Sequence, residues 1–250
     1  MIAGGVLENP RPDLALSLHI WNEKPFGWIG VVPGPLMAAS DIFKIRIKGK
    51  GGHGAFPDQV VDPVVTAAQI ISGLQTLVSR NVSPLKSAVV SVTRVAGGET
   101  FNVIPPFVDL QGTIRTFEND IRQSVIERMG EIINGIASSM RCQADLDVKM
   151  LTPAVINDQS TAERLKSIFQ RPFPDDYIET SYKTMGSEDM AFVLREIPGC
   201  YFLVGSANAD QGLDYGHHNP RFNFDEKVLP KASALMALAA ASYLTHDISN

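Results

Sequence analysis

Three stretches of this chain carry histidine where reactive groups are usually held. Gly51-Gly52-His53-Gly54-Ala55-Phe56-Pro57 and Tyr215-Gly216-His217-His218-Asn219-Pro220 place imidazoles among glycines and prolines, and His19 ends the apolar run Leu14-Ala15-Leu16-Ser17-Leu18. Loops on a rigid scaffold are where binding and catalytic groups concentrate, and neutral imidazole is a common ligand of zinc-like ions. The chemistry these residues suggest is a hydrolytic metal site. Each also has a plainer reading: His53 alone suits a cap or a surface position, and His19 alone suits a core edge. Adjacent imidazoles before Asn-Pro have less structural purpose, although two neighbouring side chains rarely aim at one point. No His-x-x-x-His and no close cysteine pair supplies a self-contained centre. Serine hydrolysis has less support still, because the chain lacks a Gly-x-Ser-x-Gly elbow.

The stretch Gly49-Lys50-Gly51-Gly52-His53-Gly54 has the form of a G-x-G-x-x-G fingerprint. In a dinucleotide-binding unit those glycines open a helix, and an acidic residue follows about twenty positions on. Here Pro57 and Asp62-Pro63 postpone the helix, and no such acidic residue ends a second strand. The glycines read instead as a tight loop that presents His53 with little steric cover.

The elements that must position these residues fall into two groups. Ile42 to Lys48 alternates apolar and charged residues, as a strand with one buried face does. Asp62-Pro63 supplies an N-cap and a first-turn proline, and Val64, Val65, Ala68, Ile71, Leu74, Leu77 and Val78 follow at helical spacing. Strands are expected at Val89–Val95 and Val108–Phe117, then a helix with Val125, Met129, Ile132, Ile133, Ile136 and Met140 on one face, then a strand at Ala144–Met150. That order, β-α-β-β-α-β, is the split pattern of a ferredoxin-like α/β sandwich, expected here over residues 40–151. The flanks carry short continuous apolar runs at 14–20 and 201–205, as strands buried on both faces of a mainly parallel sheet do. Leu229–Leu244 reads as a packed helix. The fold class expected is α/β: a small module inserted into a larger domain made of residues 1–39 and 152–250.

Composition sets the outer bounds. The 250 residues carry a net charge of −5, with 44% apolar and 20% charged residues, the balance of an ordinary globular protein. No Lys/Arg cluster interrupts the chain, so neither nucleic acid nor an anionic membrane is expected as partner. Cys142 and Cys200 lie far apart without a Cys-x-x-Cys, as expected of buried thiols in a reduced, cytoplasmic setting. No apolar run approaches the roughly 20 residues of a membrane span, and the first residues lack the basic and apolar regions of a signal peptide.

Six segments then occur in a telling order: Leu18-His19-Ile20-Trp21, Gly49 to Pro57, Phe101-Asn102-Val103-Ile104-Pro105, Gly112 to Phe117, Met185-Gly186-Ser187-Glu188-Asp189-Met190 and His217-His218-Asn219-Pro220. Together they resemble the metal-dependent amidohydrolase/aminoacylase/carboxypeptidase superfamily (peptidase clan MH), nearest its hippurate hydrolase and indole-acetyl-amino-acid hydrolase branch. The resemblance runs essentially end to end. It implies a catalytic domain holding two divalent metal ions, zinc or manganese, and an inserted ferredoxin-like dimerisation or lid domain, hence a homodimer through that lid. The implied reaction is hydrolysis of the amide bond of N-acyl amino acids or peptide-like substrates.

Residue by residue, the resemblance gives His19 and His218 as metal ligands, with His217 as a neighbour. It gives His53 as the lid imidazole that steadies the oxyanion across the dimer. Asn102 and Arg115 would hold the substrate's carbonyl and carboxylate, the guanidinium fork suiting the latter, and Glu188 would line the substrate pocket. Asn102 also suits a turn and Arg115 a surface strand position, while favourable charge at a helix start would by itself explain Glu188 and Asp189. Relatives carry a long segment ahead of the position of Met1, holding a Cys/His ligand motif and a Glu-Glu pair that supplies a ligand and the general base. The chain is therefore expected to be a C-terminal portion with a truncated catalytic domain, binding metal weakly and hydrolysing little by itself. The rival expectation is a non-catalytic dimerisation or ligand-binding remnant, or one half of a split enzyme.

Overall fold

In the computed structural model, which describes residues 1–244, the chain divides into two compact units, 1–37 with 155–250 and 38–154. The first unit opens with β1 (Ala15–Pro25), β2 (Trp28–Gly30) and β3 (Gly34–Met37). The second contains β4 (Ala39–Lys48), β5 (Gly52–His53), α1 (Pro63–Thr76), β6 (Ala88–Ala96), β7 (Val103–Ile104), β8 (Phe107–Thr116), α2 (Asn119–Ser139) and β9 (Gln143–Thr152). The chain then returns to the first unit for β10 (Val155–Asn157), α3 (Gln159–Gln170), β11 (Tyr177–Glu179), α4 (Met190–Glu196), β12 (Gly199–Ala207) and α5 (Val228–Leu244). The sequence boundaries at 39/40 and 151/152 thus compare with breaks at 37/38 and 154/155, and the end of the range 152–250 lies outside the described residues.

The second unit follows from its alternation. β4 buries Phe43, Ile45 and Ile47 and exposes Ile42, Lys44, Arg46 and Lys48, so one face must be covered. Four strands form an antiparallel sheet in the order β6-β8-β4-β9. Ile70, Leu74, Met129 and Ile133 of α1 and α2 pack on its apolar face with Leu110, Ile114 and Cys142. Asp62 Oδ1 starts α1 by accepting from the Val64 and Val65 amides at 2.8 and 3.3 Å, beside the first-turn Pro63. Gly112 permits the close approach of β8 to its neighbours, since a Cβ there would lie 2.1 Å from Ser91 O and 2.2 Å from Phe43 Cζ. Within this sheet Asp41 of β4, fully buried, accepts two hydrogen bonds from the Arg122 guanidinium of α2, one at 2.9 Å to Oδ2 and a second to Oδ1. A separate two-stranded ladder joins β5 to β7.

The first unit centres on β12, whose residues Gly199–Ser206 are all buried. Cys200, Phe202 and Val204 face α3 and α5, meeting Leu165, Phe169 and Leu235. Tyr201 and Leu203 face the opposite way, toward Trp21, Trp28, Leu36 and Ala191. One sequence expectation, the burial of β1, needs correction here. In the four-stranded sheet, order β1-β12-β2-β11, the β1–β12 and β2–β11 pairings are parallel and the β12–β2 pairing is antiparallel. The chain reverses at Phe26-Gly27, where Gly27 takes φ +94°, so β2 runs back against β12. β1 is an edge strand, and Ala15–Ile20 are half-buried rather than covered on both faces. Cys200 lies in the core of this unit, where burial pushes its thiol pKa up to about 12. No helix among the described residues is long and apolar enough to cross a membrane.

Candidate functional site

Alternation along β1 decides where His19 points. Leu16, Leu18 and Ile20 pack toward the α3 and α5 side, so His19 and Trp21 emerge on the other face of the sheet. The loop after β12 returns to meet them: the His217 ring lies 4.9 Å from that of His19, 4.9 Å from Trp21 and 5.1 Å from Phe222. His19 Nδ1 lies 2.5 Å from Ile20 O, and because a carbonyl only accepts, that nitrogen carries the proton and Nε2 keeps a lone pair. Burial, and then the neighbouring His19, hold the His217 pKa below its ordinary value, favouring the neutral ring. His217 Nε2 accepts from the Asn22 amide at 3.4 Å.

The resemblance paired His19 with His218, whereas the imidazole packed against His19 is His217. His218 itself is exposed and takes a left-handed φ of 64°, which turns the two consecutive side chains apart. Glu188 is half-buried just ahead of α4, its Oε2 accepting from Tyr201 Oη at 3.1 Å and its Oε1 from the Asp189 amide at 3.0 Å. Burial, with Glu188 adding to it, pushes the Tyr201 phenol far up, so it remains a donor. Asp189 is the N-cap residue of α4 but makes no side-chain capping bond.

The wall beside the histidines is aromatic and polar at once. Trp21 Nε1 donates to Tyr182 Oη at 2.8 Å, and Trp28 Nε1 donates to Glu179 Oε2 at 2.9 Å. Lys24 lies 4.9 Å from the Tyr182 ring and 5.3 Å from the Trp28 ring, near Glu179. None of these residues carries a sequence signal stronger than aromatic content at strand ends.

In the second unit, His53 and Asn102 are brought together by the short ladder. His53 pairs with Val103 across β5 and β7, and the Gly54 amide donates to Asn102 O at 2.8 Å. Both residues are exposed. Gly51 lets the strands approach, because a Cβ there would sit 2.7 Å from Ile104 O. His53 Nδ1 accepts from the Ala55 amide at 3.1 Å, which leaves Nε2–H as the outward donor. Arg115 stands on the sheet face away from the helices, donating to Ile114 O at 3.1 Å and to Thr113 Oγ1. Burial lowers its pKa from the ordinary value, though a guanidinium stays charged.

A catalytic zinc ordinarily takes three protein ligands, and no group of three or more His, Cys, Asp or Glu capable of holding an ion occurs among the described residues. His19 and the histidine loop, even with Glu23 close enough to act on His217, thus do not assemble a complete one- or two-metal site among the described residues.

Comparison with known proteins places this geometry. The peptidase dimerisation domain family matches residues 41–141. An N-acetylcysteine deacetylase of Bacillus subtilis (strain 168) is 40% identical over 234 residues, covering 91% of this chain and 58% of the relative. An IAA-amino acid hydrolase of Arabidopsis thaliana is 35% identical over 249 residues, covering 98% and 56%. The crystal structure of a dinuclear metal-binding peptidase from Bacillus subtilis superposes with a TM-score of 0.79 at 34% identity, over 97% of this chain and 60% of that one. The chain therefore belongs to the superfamily of metal-dependent amidohydrolases, aminoacylases and carboxypeptidases. Within it, the chain lies near the aminoacylase and indole-acetyl-amino-acid hydrolase branch, and it spans less than two thirds of each of these relatives.

Proposed function

We propose that this chain is part of a metal-dependent amidohydrolase that cleaves the amide bond of N-acyl amino acids. The observation that carries the reading is the meeting of His19 with the 215–220 loop on one face of the sheet, in a chain 40% identical to an N-acetylcysteine deacetylase. Hydrolysis adds water to the acyl carbonyl, and negative charge develops on its oxygen before the amine departs. A divalent metal pair, as in the dinuclear relative, supplies Lewis-acid chemistry to such a reaction. Donors beyond the described residues would have to complete that centre with His19 and His218.

The remaining roles fall to this chain's own side chains. The outward N–H of His53 suits donation to the developing oxyanion of a partner protomer's substrate. The Asn102 amide, brought beside it by the β5–β7 ladder, suits the carbonyl. Arg115 is partly desolvated, so a substrate carboxylate gains more there than at a fully hydrated cation. Glu188, held by Tyr201, would shape the pocket rather than transfer protons. The second unit is read as a ferredoxin-like lid, its antiparallel order β6-β8-β4-β9 and two covering helices suiting that description, and a homodimer through it is part of the proposal. The matched dimerisation family favours a second reading, a dimerisation or ligand-binding module without catalysis of its own, or half of a split enzyme.

The deciding experiment assays N-acetyl and indole-acetyl amino acids with zinc or manganese. The 250-residue chain is tested alone and with the unmatched portion of the deacetylase supplied in trans. Negligible turnover alone and measurable turnover after complementation, lost in His19→Ala and His53→Ala, is the expected result. Strong turnover by the chain alone would overturn the need for outside donors. Silence in both arms, with a stable dimer, would favour the second reading.

A further inference from the structure

Asn22 is fully buried and follows Trp21 on β1, yet nothing in its residue type or spacing marks it as functional. Its Nδ2 donates to Tyr215 O at 2.7 Å and to Asn223 O at 2.8 Å. Its Oδ1 accepts from Ser206 Oγ at 3.0 Å, and Ser206 belongs to β12. One primary amide therefore ties two adjacent strands to both ends of the histidine loop, using both of its donors and its acceptor. Aspartate has the same shape but no donors, and an apolar residue would leave two loop carbonyls without this partner.

The backbone of the same residue adds a second tie. The Asn22 N–H points at His217 Nε2, so that lone pair is committed and the ring's proton sits on Nδ1. His19, Trp21 and Phe222 close around the ring. His218 meanwhile remains exposed. We propose that Asn22 and His217 are positioning residues: together they latch the 215–223 loop onto the end of β1, with the His217 ring against His19 and His218 left exposed on the same loop as the imidazole free to bind. The functional meaning of the latch rests on the amidohydrolase reading; its existence does not.

The test is nuclear magnetic resonance on the full 250-residue chain, without metal or substrate. In the unmodified protein, the Asn22 side-chain amide protons should show contacts to Tyr215 and Asn223, and the His19 and His217 ring protons should show contacts to each other. Asn22→Ala and Asn22→Asp should abolish the contact between the rings, remove the ring-current shift of His217, and speed amide exchange across 215–223 by about tenfold or more. Ser206→Ala, which spares both bonds to the loop, should retain all three signals. Persistence of the ring contact in either folded Asn22 variant would overturn the latch. Should both variants fail to fold, the contacts in the unmodified chain decide, and their absence overturns the proposal. Because none of these signals depends on turnover, failure of the latch and failure of the hydrolase reading are told apart.

Discussion

His217 and His53 are the same residue type on two loops, and the two units of the molecule hold them in opposite ways. His217 is half-buried on a loop tied down by side-chain amide bonds, and its ring is enclosed by other rings. His53 is exposed on a two-residue ladder held by backbone pairing, with glycines keeping the strands close. The contrast extends to each unit's interior. In the first unit, two fully or nearly fully buried amides, Asn22 and Asn157, tie the backbone together, beside the buried carboxylate Asp225 and the Lys231–Asp176 pair: Asn157 donates to Val32 O and Tyr201 O at 2.9 Å each and accepts from the Tyr201 amide at 2.7 Å. In the second, the buried polar pair is charged, Asp41 with Arg122. Short strands with irregular connections need side chains to complete their backbone hydrogen bonding. Ten-residue strands in continuous register, as β4 and β8 are, complete their own.

The sharpest way to break this comparison is Asp41→Ala. It leaves the Arg122 guanidinium buried without its partner and should cost about 3–5 kcal/mol in the second unit, measured by urea unfolding. An equal loss in the first unit would contradict the division. Asn157→Ala comes next. It strands the Tyr201 amide and should destabilise the first unit by about 1–3 kcal/mol, read from the same unfolding curves.

Asp158→Ala is a smaller effect with a pH signature. Asp158 Oδ1 accepts from Ser160 Oγ at 2.7 Å and from the Thr161 hydroxyl and amide at 2.7 and 2.8 Å, capping α3. Those bonds, that of Ser160 foremost, hold its carboxyl below the usual carboxylate range. A depressed carboxyl contributes stability above its unfolded-state pKa and loses it as pH falls through the folded value. The variant should therefore cost about 1 kcal/mol near neutrality, and its melting curves should draw together with those of the parent only as pH falls below the ordinary carboxylate range. Smallest of all, His53→Ala should change stability by less than about 0.5 kcal/mol. His217→Ala, losing a packed ring, should cost roughly 1 kcal/mol. Equal effects of these two would remove the distinction between a presented and an enclosed imidazole.

Much of the second unit was legible because its strands alternate cleanly and its helices repeat their apolar face. Ile42–Lys48, the Asp62-Pro63 helix start and the Val125–Met140 stripe each correspond to an observed element. The two- and three-residue strands β2, β5, β7, β10 and β11 were not legible, since so few residues carry no period. β1 misled for a related reason: a continuous apolar run fits a strand covered on both faces, but sheet order made it an edge. His53 and Asn102 meet only through backbone pairing between distant segments, which composition does not encode. Asn22 left still less trace, because its role depends on carbonyls nearly two hundred positions away.

The two cysteines give these ideas a ready instrument. Cys142 is packed in the core of one unit and Cys200 in the core of the other, so each thiol is shielded while its own unit stays folded. Alkylation needs the thiolate in contact with reagent, and neither burial nor a pKa raised to about 12 at Cys200 allows that in the native chain. Mass-spectrometric trapping of each cysteine is thus a separate clock for the opening of each half, and a single natural sequence reports on two stabilities without an added label.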